Sequence, residues 1–249
     1  MKISLITISY NSEASIRDTI ESVMEQDYNN IEYIIVDGNS KDRTMEIVRS
    51  YGEKISKSVS EPDKGLYDAL NKGINMATGD VVGFIHSDDV LAGPGVISLI
   101  ASTFLEKETD SIYGDLEYVF KEDTSRILRY WKAGKFSRRK IRNGWMPPHP
   151  TFYVKRSIYN TYGGFDTGFR IAADYDCILR LLAKEKISTA YIPEVLVKMR
   201  VGGESNKSIR NIIRKSKEDI RAMRKNGIPA LPALIMKNLR KIHQFIVRK

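Results

Sequence analysis

Residues 79–89 read Gly-Asp-Val-Val-Gly-Phe-Ile-His-Ser-Asp-Asp, an apolar run that ends in two adjacent carboxylates, Asp88 and Asp89. A short run rich in β-branched and aromatic residues suits a buried parallel strand. Open α/β sheets place their ligand crevice at the carboxyl ends of such strands. Adjacent acids repel one another at that mouth unless something neutralises them, so a bound cation is the first chemistry they suggest. Carboxylate ligands are hard, which favours Mg²⁺ or Mn²⁺; His86, His149 and His243 are scattered and offer no zinc cluster. The plainer alternative is a polar turn in which Ser87-Asp88-Asp89 caps a helix near Pro94–Leu105.

The elements that must position these acids alternate regularly. Lys2–Ser9 reads as a strand, Ser12–Gln26 as a helix with Ile16, Ile20, Val23 and Met24 on one face, and Ile31–Val36 as a second strand. Thr44–Tyr51 reads as a helix, Ile55–Val59 as a strand, Leu66–Ala77 as a helix and Val81–Ile85 as a strand. Strand and helix in alternation imply a parallel sheet with right-handed crossovers. Three strand ends carry polar residues: Ser9-Tyr10-Asn11, Asp37-Gly38-Asn39-Ser40 and Ser87-Asp88-Asp89. They are expected to converge on one crevice. Beyond Ser111 the pattern changes. Ile112–Phe120 and Ser125–Trp131 suit an antiparallel pair, Pro150–Val154 another strand, Asp174–Lys184 a helix, and Thr189–Ile192 and Val195–Met199 two short strands. No glycine-rich phosphate loop follows any strand, so a bound diphosphate must be neutralised by other means, and a metal on Asp88 and Asp89 would serve.

The blocks Ser4–Asn11, Ile35–Thr44, Ser60–Gly73 with Gly79-Asp80, and Ser87–Asp89, followed by Gly163–Asp166 and Ala172–Leu181, resemble in order and spacing those of family 2 glycosyltransferases. The resemblance runs from Lys2 to about Gly203. It implies a GT-A fold, which is an α/β, Rossmann-like and mostly parallel sheet with an antiparallel acceptor-side portion. It also implies inverting transfer from a nucleotide sugar in cell-surface polysaccharide synthesis. By resemblance, the backbone around Thr7 and Ser9 receives the uracil ring and Asp37 is the acid of the nucleoside pocket. The common Asp-Asp-Gly-Ser is here Asp37-Gly38-Asn39-Ser40, which leaves Asp37 or Asn39 to face the base. Asp63, Lys64 and Gly65 resemble the loop beside nucleoside and diphosphate. Ser87, Asp88 and Asp89 match the region that touches ribose and holds Mn²⁺ or Mg²⁺, with His86 where many relatives carry another acid. Asp174 resembles the base that takes the acceptor's proton, with Asp176 as its competitor and helix capping as the alternative for either.

The composition is compatible with this. At 249 residues and 42% apolar the chain is long enough for a substantial core, and its apolar runs are too short to span a bilayer. Its first residues are too short and too alternating for a signal peptide. The lone cysteine, Cys177, lies in an apolar run and suits a packed thiol in a reducing cytoplasm. Trp131 and Trp145 suit core packing or a sugar-stacking surface, His149 a ligand contact or a loop contact, and Gly202–Ser205 a closing loop or a plain connection.

The net charge of +9 is concentrated at one end: Lys207–Lys249 holds 13 Lys and Arg against two acids, Glu218 and Asp219. The expected organisation is a domain over 1–205, with a nucleotide-sugar half at 1–90 and an acceptor half at 91–205, and a basic helical tail at 206–249. In that tail Leu231, Leu234, Ile235, Leu239, Ile242, Phe245 and Ile246 share an arc, with Lys237, Arg240, Lys241, Gln244 and Arg248 mostly opposite. Such a helix suits peripheral contact with an anionic membrane at its cytoplasmic face, or packing on the body or a second subunit. The acceptor expected there is a saccharide, carried for instance by a polyprenyl diphosphate. A nucleotidyltransferase or a non-catalytic nucleotide-binding module are the alternatives. Nucleic acid is not expected as a partner, because no aromatic-rich basic strand face is present.

Overall fold

The computed structural model describes residues 1–202 and 209–243. Its first half alternates as expected: β1 (Ile3–Ser9), α1 (Ile16–Met24), β2 (Ile31–Asp37), α2 (Thr44–Ser50), β3 (Lys57–Ser60), α3 (Leu66–Met76) and β4 (Val81–Phe84). Next come β5 (Val90–Leu91), α4 (Val96–Lys107), β6 (Ser111–Val119), β7 (Ile127–Trp131), α5 (Arg138–Arg142), β8 (Tyr153–Lys155) and α6 (Arg156–Tyr162). The chain continues through α7 (Ala173–Leu179), β9 (Thr189–Arg200), α8 (Ile209–Lys225) and α9 (Ala230–His243).

One sheet runs through the molecule in the order β3-β2-β1-β4-β8-β6-β9-β5, with β7 paired to β6. Strands β3, β2, β1 and β4 are parallel, whereas β8 joins β4 and β6 antiparallel. This is the expected α/β sheet, parallel through β3-β2-β1-β4 and with antiparallel pairings in the second half. β1 is buried along its whole length. Ile3 and Leu5 face a core with Ile16, Ile20 and Ile97, while Ile6 and Ile8 face one with Leu70, Ile74 and Tyr175. Apolar side chains on both faces are what a parallel strand under two helical layers requires.

Three elements differ from the expected ones. β9 is one strand rather than two, because its ladder with β6 continues past an irregularity at Asp115, where Gly114 lets the Glu194 carbonyl come close. The antiparallel pairing of Val90 and Leu91 with β9 makes β5, a two-residue strand that only a distant partner reveals. The expected helix Asp174–Lys184 is α7 followed by a π-helical turn at Arg180–Lys184.

The C-terminal helices pack on the body. Ala222, Met223, Ile228 and Ala233 belong to the core that holds Tyr175 and Leu181. Gly144, at φ +74°, lies so close to α9 that a Cβ would sit 2.2 Å from the Ala233 carbonyl oxygen. Only glycine fits there, both for the left-handed backbone and for the approach. Lys237, expected on the outward polar face, is instead buried in an ion pair with Asp219 (2.8 Å) and lies 3.3 Å from the centre of the Tyr175 ring. The expected tail boundary at 205–206, Gly203–Ser205 and the apolar positions Phe245 and Ile246 lie outside the described residues.

Candidate active site

The crevice begins where three parallel strands end side by side. Ser9, Asp37 and Ser60 are register partners at the ends of β1, β2 and β3. Asp37 is fully buried and its carboxylate accepts four hydrogen bonds: from the Ser9 hydroxyl (2.9 Å), the Ser40 hydroxyl (2.5 Å), the Ser40 backbone N–H (2.9 Å) and the Ser60 hydroxyl (2.7 Å). A carboxylate so occupied has little capacity left for a ligand. Asp37 therefore braces the strand ends, and the expectation that it faces a base does not fit its surroundings. Thr7 is likewise buried, its hydroxyl 3.0 Å from that of Tyr33, so only the strand end at Ser9 reaches the mouth. Asn39, the other candidate, takes a left-handed backbone (φ +64°) and accepts a hydrogen bond from the Lys41 ammonium.

The acid that does face this mouth comes from a different loop. A Cβ on Gly38 would lie 2.6 Å from Asp63 Oδ2 and 3.4 Å from the Tyr10 ring. Gly38 thus makes room for the Asp63 carboxylate, whose other oxygen accepts the Gly65 N–H at 2.8 Å. Tyr10, at the end of β1, is 65% exposed, an unusual state for so large a ring. An open aromatic face beside a carboxylate suits a planar heterocycle with an N–H. Lys64 and Gly65 continue the loop into α3, with the Lys64 N–H donated to Asp68 at 3.0 Å.

At the end of β4 the two adjacent acids part. Asp88 is exposed; Asp89 is buried and accepts the Arg200 backbone N–H at 3.1 Å. Burial, reinforced by Asp88, pushes the Asp89 carboxyl well above the usual range, which favours its neutral form. The sequence leaves open which of the two acids would be the direct ligand of a cation; in the fold Asp88 is the one open to solvent and Asp89 is enclosed. Arg200 holds the turn, donating to the Asp88 carbonyl (2.9 Å) and the Lys121 carbonyl (3.0 Å) and pairing with Asp18. Ser87 is fixed from the other side, with its hydroxyl 2.8 Å from that of Ser12 and its carbonyl accepting from Ser15. Among the described residues no cluster of three or more His, Cys, Asp or Glu could hold a metal. An exposed carboxylate such as Asp88 nevertheless fits Mg²⁺ or Mn²⁺, which commonly bind through one or two carboxylates together with substrate phosphates.

Asp174 approaches from the opposite side, in the first turn of α7. Its Oδ2 lies 3.4 Å from His149 Nδ1 and its Oδ1 3.3 Å from the Tyr67 hydroxyl, which also donates to the Ile171 carbonyl at 2.7 Å. The His149 ring stands 5.6 Å from that of His86, next but one to Asp88. A continuous line thus runs from Asp174 through His149 and His86 to the end of β4. Burial pushes His149 down to about 4, so it is neutral near pH 7 and can offer Asp174 a single N–H. Burial also holds His86 below the ordinary imidazole range, against the pull of Asp88 and Asp174.

Asp176 is fully buried. It accepts from the Asn226 amide (2.9 Å) and the Lys225 ammonium (3.0 Å) and lies 3.7 Å from Arg180. Cys177 is buried and its thiol pushed up to about 12, consistent with a packed thiol. Trp145 is buried with its indole N–H on the Ala133 carbonyl, and Trp131 stacks parallel to Tyr118, so neither offers a free sugar platform. Sequence reasoning missed Tyr67 and Arg200, whose roles depend on pairings across 107 and 112 residues.

Comparison with known proteins gives the family and the fold. The family model described as Glycosyl transferase family 2 matches residues 4–172. A Mycobacterium tuberculosis protein described as an uncharacterized glycosyltransferase is 34% identical over 183 residues, covering 72% of this chain and 68% of its own. A PGL/p-HBAD biosynthesis glycosyltransferase of Mycobacterium bovis is 26% identical over 208 residues, covering 82% and 78%. Among solved structures, S. aureus TarS 1–349 superposes with a TM-score of 0.71 at 18% identity, covering 98% of this chain and 72% of that one. The chain spans only 44% of a longer TarS structure. The mannosyltransferase PcManGT of Pyrobaculum calidifontis, solved with GDP-Man and Mn²⁺, superposes at 0.69 and 18% identity, covering 95% and 68%. At these identities the superpositions speak for the fold.

Proposed function

The chain belongs to glycosyl transferase family 2, and from that premise we propose that it is an inverting, metal-dependent transferase that moves a sugar from a UDP-linked donor to a saccharide acceptor. The donor base stacks on Tyr10, and the Asp63 carboxylate beside Gly38 accepts its N–H. Asp88, the exposed acid at the end of β4, holds Mn²⁺ or Mg²⁺ together with the diphosphate. Bound there, the cation supplies neutralisation of the charge that develops on the leaving group. Mn²⁺ in the PcManGT complex and UDP-GlcNAc in a TarS complex support a divalent metal and a nucleotide-sugar donor.

Asp174 acts as the base. The acceptor hydroxyl oxygen forms its bond to the anomeric carbon as the bond from that carbon to the diphosphate breaks, and the hydroxyl proton passes to Asp174. An α-linked donor then gives a β-linked product. Tyr67 and His149 orient the two oxygens of Asp174, and a neutral His149 does so without forming an ion pair that would weaken the base. We place the acceptor on a polyprenyl diphosphate at the cytoplasmic face of the membrane, in synthesis of a cell-surface glycan. The M. bovis relative, described as a PGL/p-HBAD biosynthesis glycosyltransferase, supports a biosynthetic role.

The observation that carries this reading is the meeting of Asp174 and the β4 end through His149 and His86. Its test is release of free nucleotide from a panel of nucleotide sugars, with Mn²⁺ and with EDTA, on saccharide acceptors. Metal-dependent release from at least one donor is expected. Equal release in EDTA would remove the metal from the mechanism, and no release from any donor would remove the reading.

A further inference from the structure

Helix α9 is turned inside out. One of its two lysines, Lys237, is buried, while Leu231, Ile235 and Leu239 stand 67%, 61% and 53% exposed. Spaced four residues apart, these three form one stripe along the helix. Ala233 and Lys237, also four apart, form the face that meets the body. A stripe of large aliphatic side chains in water gains nothing for a helix already anchored through its other face, so it suggests a partner. On α8, Ile212 and Ile213 are also about half exposed.

The charges of these helices select the partner. Lys207–Lys249 holds 13 Lys and Arg and only Glu218 and Asp219 as acids, and both acids are turned inward. Glu218 accepts the backbone N–H groups of Arg170, Ile171 and Ala172 at the entry to α7 (2.8–3.2 Å). Asp219 is buried against Lys237. The basic groups exposed on α8, among them Lys217 and Arg224, therefore far outnumber the acids of their own segment near the surface, where Glu218 is half-buried and occupied by backbone N–H groups. A second copy of this chain would bring the same basic surface against itself, which like charges disfavour. A nucleic acid would answer the charge and leave the aliphatic stripe in water. An anionic bilayer answers both, with headgroups for the cations and the acyl boundary for the leucines. No helix among the described residues is long and apolar enough to cross a membrane, so the contact is one of lying on the surface.

We infer that the α8–α9 hairpin is an interfacial membrane-docking element that dips Leu231, Ile235 and Leu239 into an anionic leaflet. This deepens the membrane contact proposed above, and its test does not depend on sugar transfer. The full chain is co-sedimented with vesicles of phosphatidylcholine alone and of phosphatidylcholine with an equal part of phosphatidylglycerol. Binding to the anionic vesicles, weakened by salt, is expected. The triple variant Leu231→Ser/Ile235→Ser/Leu239→Ser should lose at least tenfold in vesicle affinity while keeping the wild-type circular dichroism and thermal transition. Lys217→Gln/Arg224→Gln should lose roughly 20- to 30-fold, since each cation near such a surface contributes about fivefold.

Equal binding to neutral vesicles, or none to anionic ones, overturns the inference. So does a chain that is dimeric by light scattering and becomes monomeric in the triple variant with vesicle binding unchanged, which would make the stripe a subunit interface. Tight binding of duplex or single-stranded nucleic acid without vesicle binding overturns it as well. Turnover on a water-soluble acceptor, read in parallel, reports on the transferase reading alone and is expected to be unchanged in both variants.

Discussion

Asp174 and Asp176, two residues apart in the first turn of α7, face opposite ways: the first is 22% exposed at the crevice, and the second is fully buried between Lys225 and Asn226. One carboxylate is left open for a proton while its neighbour fastens the same helix to α8. Asp176→Asn should therefore act on stability. Lys225 keeps Asp166 as a partner, so the expected cost is about 1–3 kcal/mol in chemical denaturation, with donor KM and the metal dependence of turnover unchanged. A folded Asp176→Asn protein with wild-type stability and no turnover would exchange the roles of the two acids.

The parting of Asp88 and Asp89 gives a second contrast. Asp88→Asn should weaken Mn²⁺-dependent donor binding by at least tenfold and leave the melting temperature close to wild type. Asp89→Asn, a near-isosteric change at a carboxyl already biased towards its neutral form, should leave Mn²⁺ affinity nearly intact. Calorimetric titration of UDP with and without Mn²⁺ measures both. Equal loss in the two variants would mean that Asp89 reaches the metal after all.

Gly38 and Asp63 make a third. Asp63→Ala removes the carboxylate proposed to accept the base N–H and should raise donor KM roughly tenfold with kcat little changed, the pattern of a binding contact rather than a chemical one. Gly38→Ala would force Asp63 aside and should give a similar KM effect. Unchanged KM in both would move base recognition elsewhere.

His149 sets a pH dependence. Its folded-state value, about 4, lies below the ordinary 6.5, so the unfolded chain binds more protons between those values. Stability from this group is present above pH 6.5 and is lost as the pH falls towards 4. His149→Gln should flatten the wild-type fall in denaturation midpoint between pH 6.5 and 4.5. Asp89, raised in the folded state, works in the opposite sense and is common to both proteins, so it cancels in the difference. Parallel curves for the two proteins would show that His149 does not titrate in this window.

Much of this was readable before any fold was known, and the remainder has a common cause. The alternating first half and the polar ends of β1, β2 and β4 follow from periodicity and from where polar residues interrupt it; that β3 ends beside them at Ser60 does not. What periodicity does not encode is direction and distant pairing. Nothing local distinguishes Asp88 from Asp89; the Arg200 N–H, 111 residues away, does so. Gly38 reads as a lost acid until Asp63 is seen to fill its place. In α9 hydropathy puts Lys237 on the polar face opposite the apolar arc, because it cannot know that Asp219 and the Tyr175 ring are waiting for that lysine. β5 is two residues long and exists through β9 alone.

The central claim, that Asp174 takes the acceptor's proton in a crevice it shares with Asp88, is tested most directly by steady-state turnover of Asp174→Asn on the donor identified from the panel. The amide keeps the shape of the carboxylate and cannot accept the proton. The expected result is a fall in kcat of about 10² to 10⁴-fold, with donor KM, Mn²⁺ dependence and thermal stability close to wild type. A variant that turns over at the wild-type rate, or that loses donor binding in proportion to its activity, would contradict it.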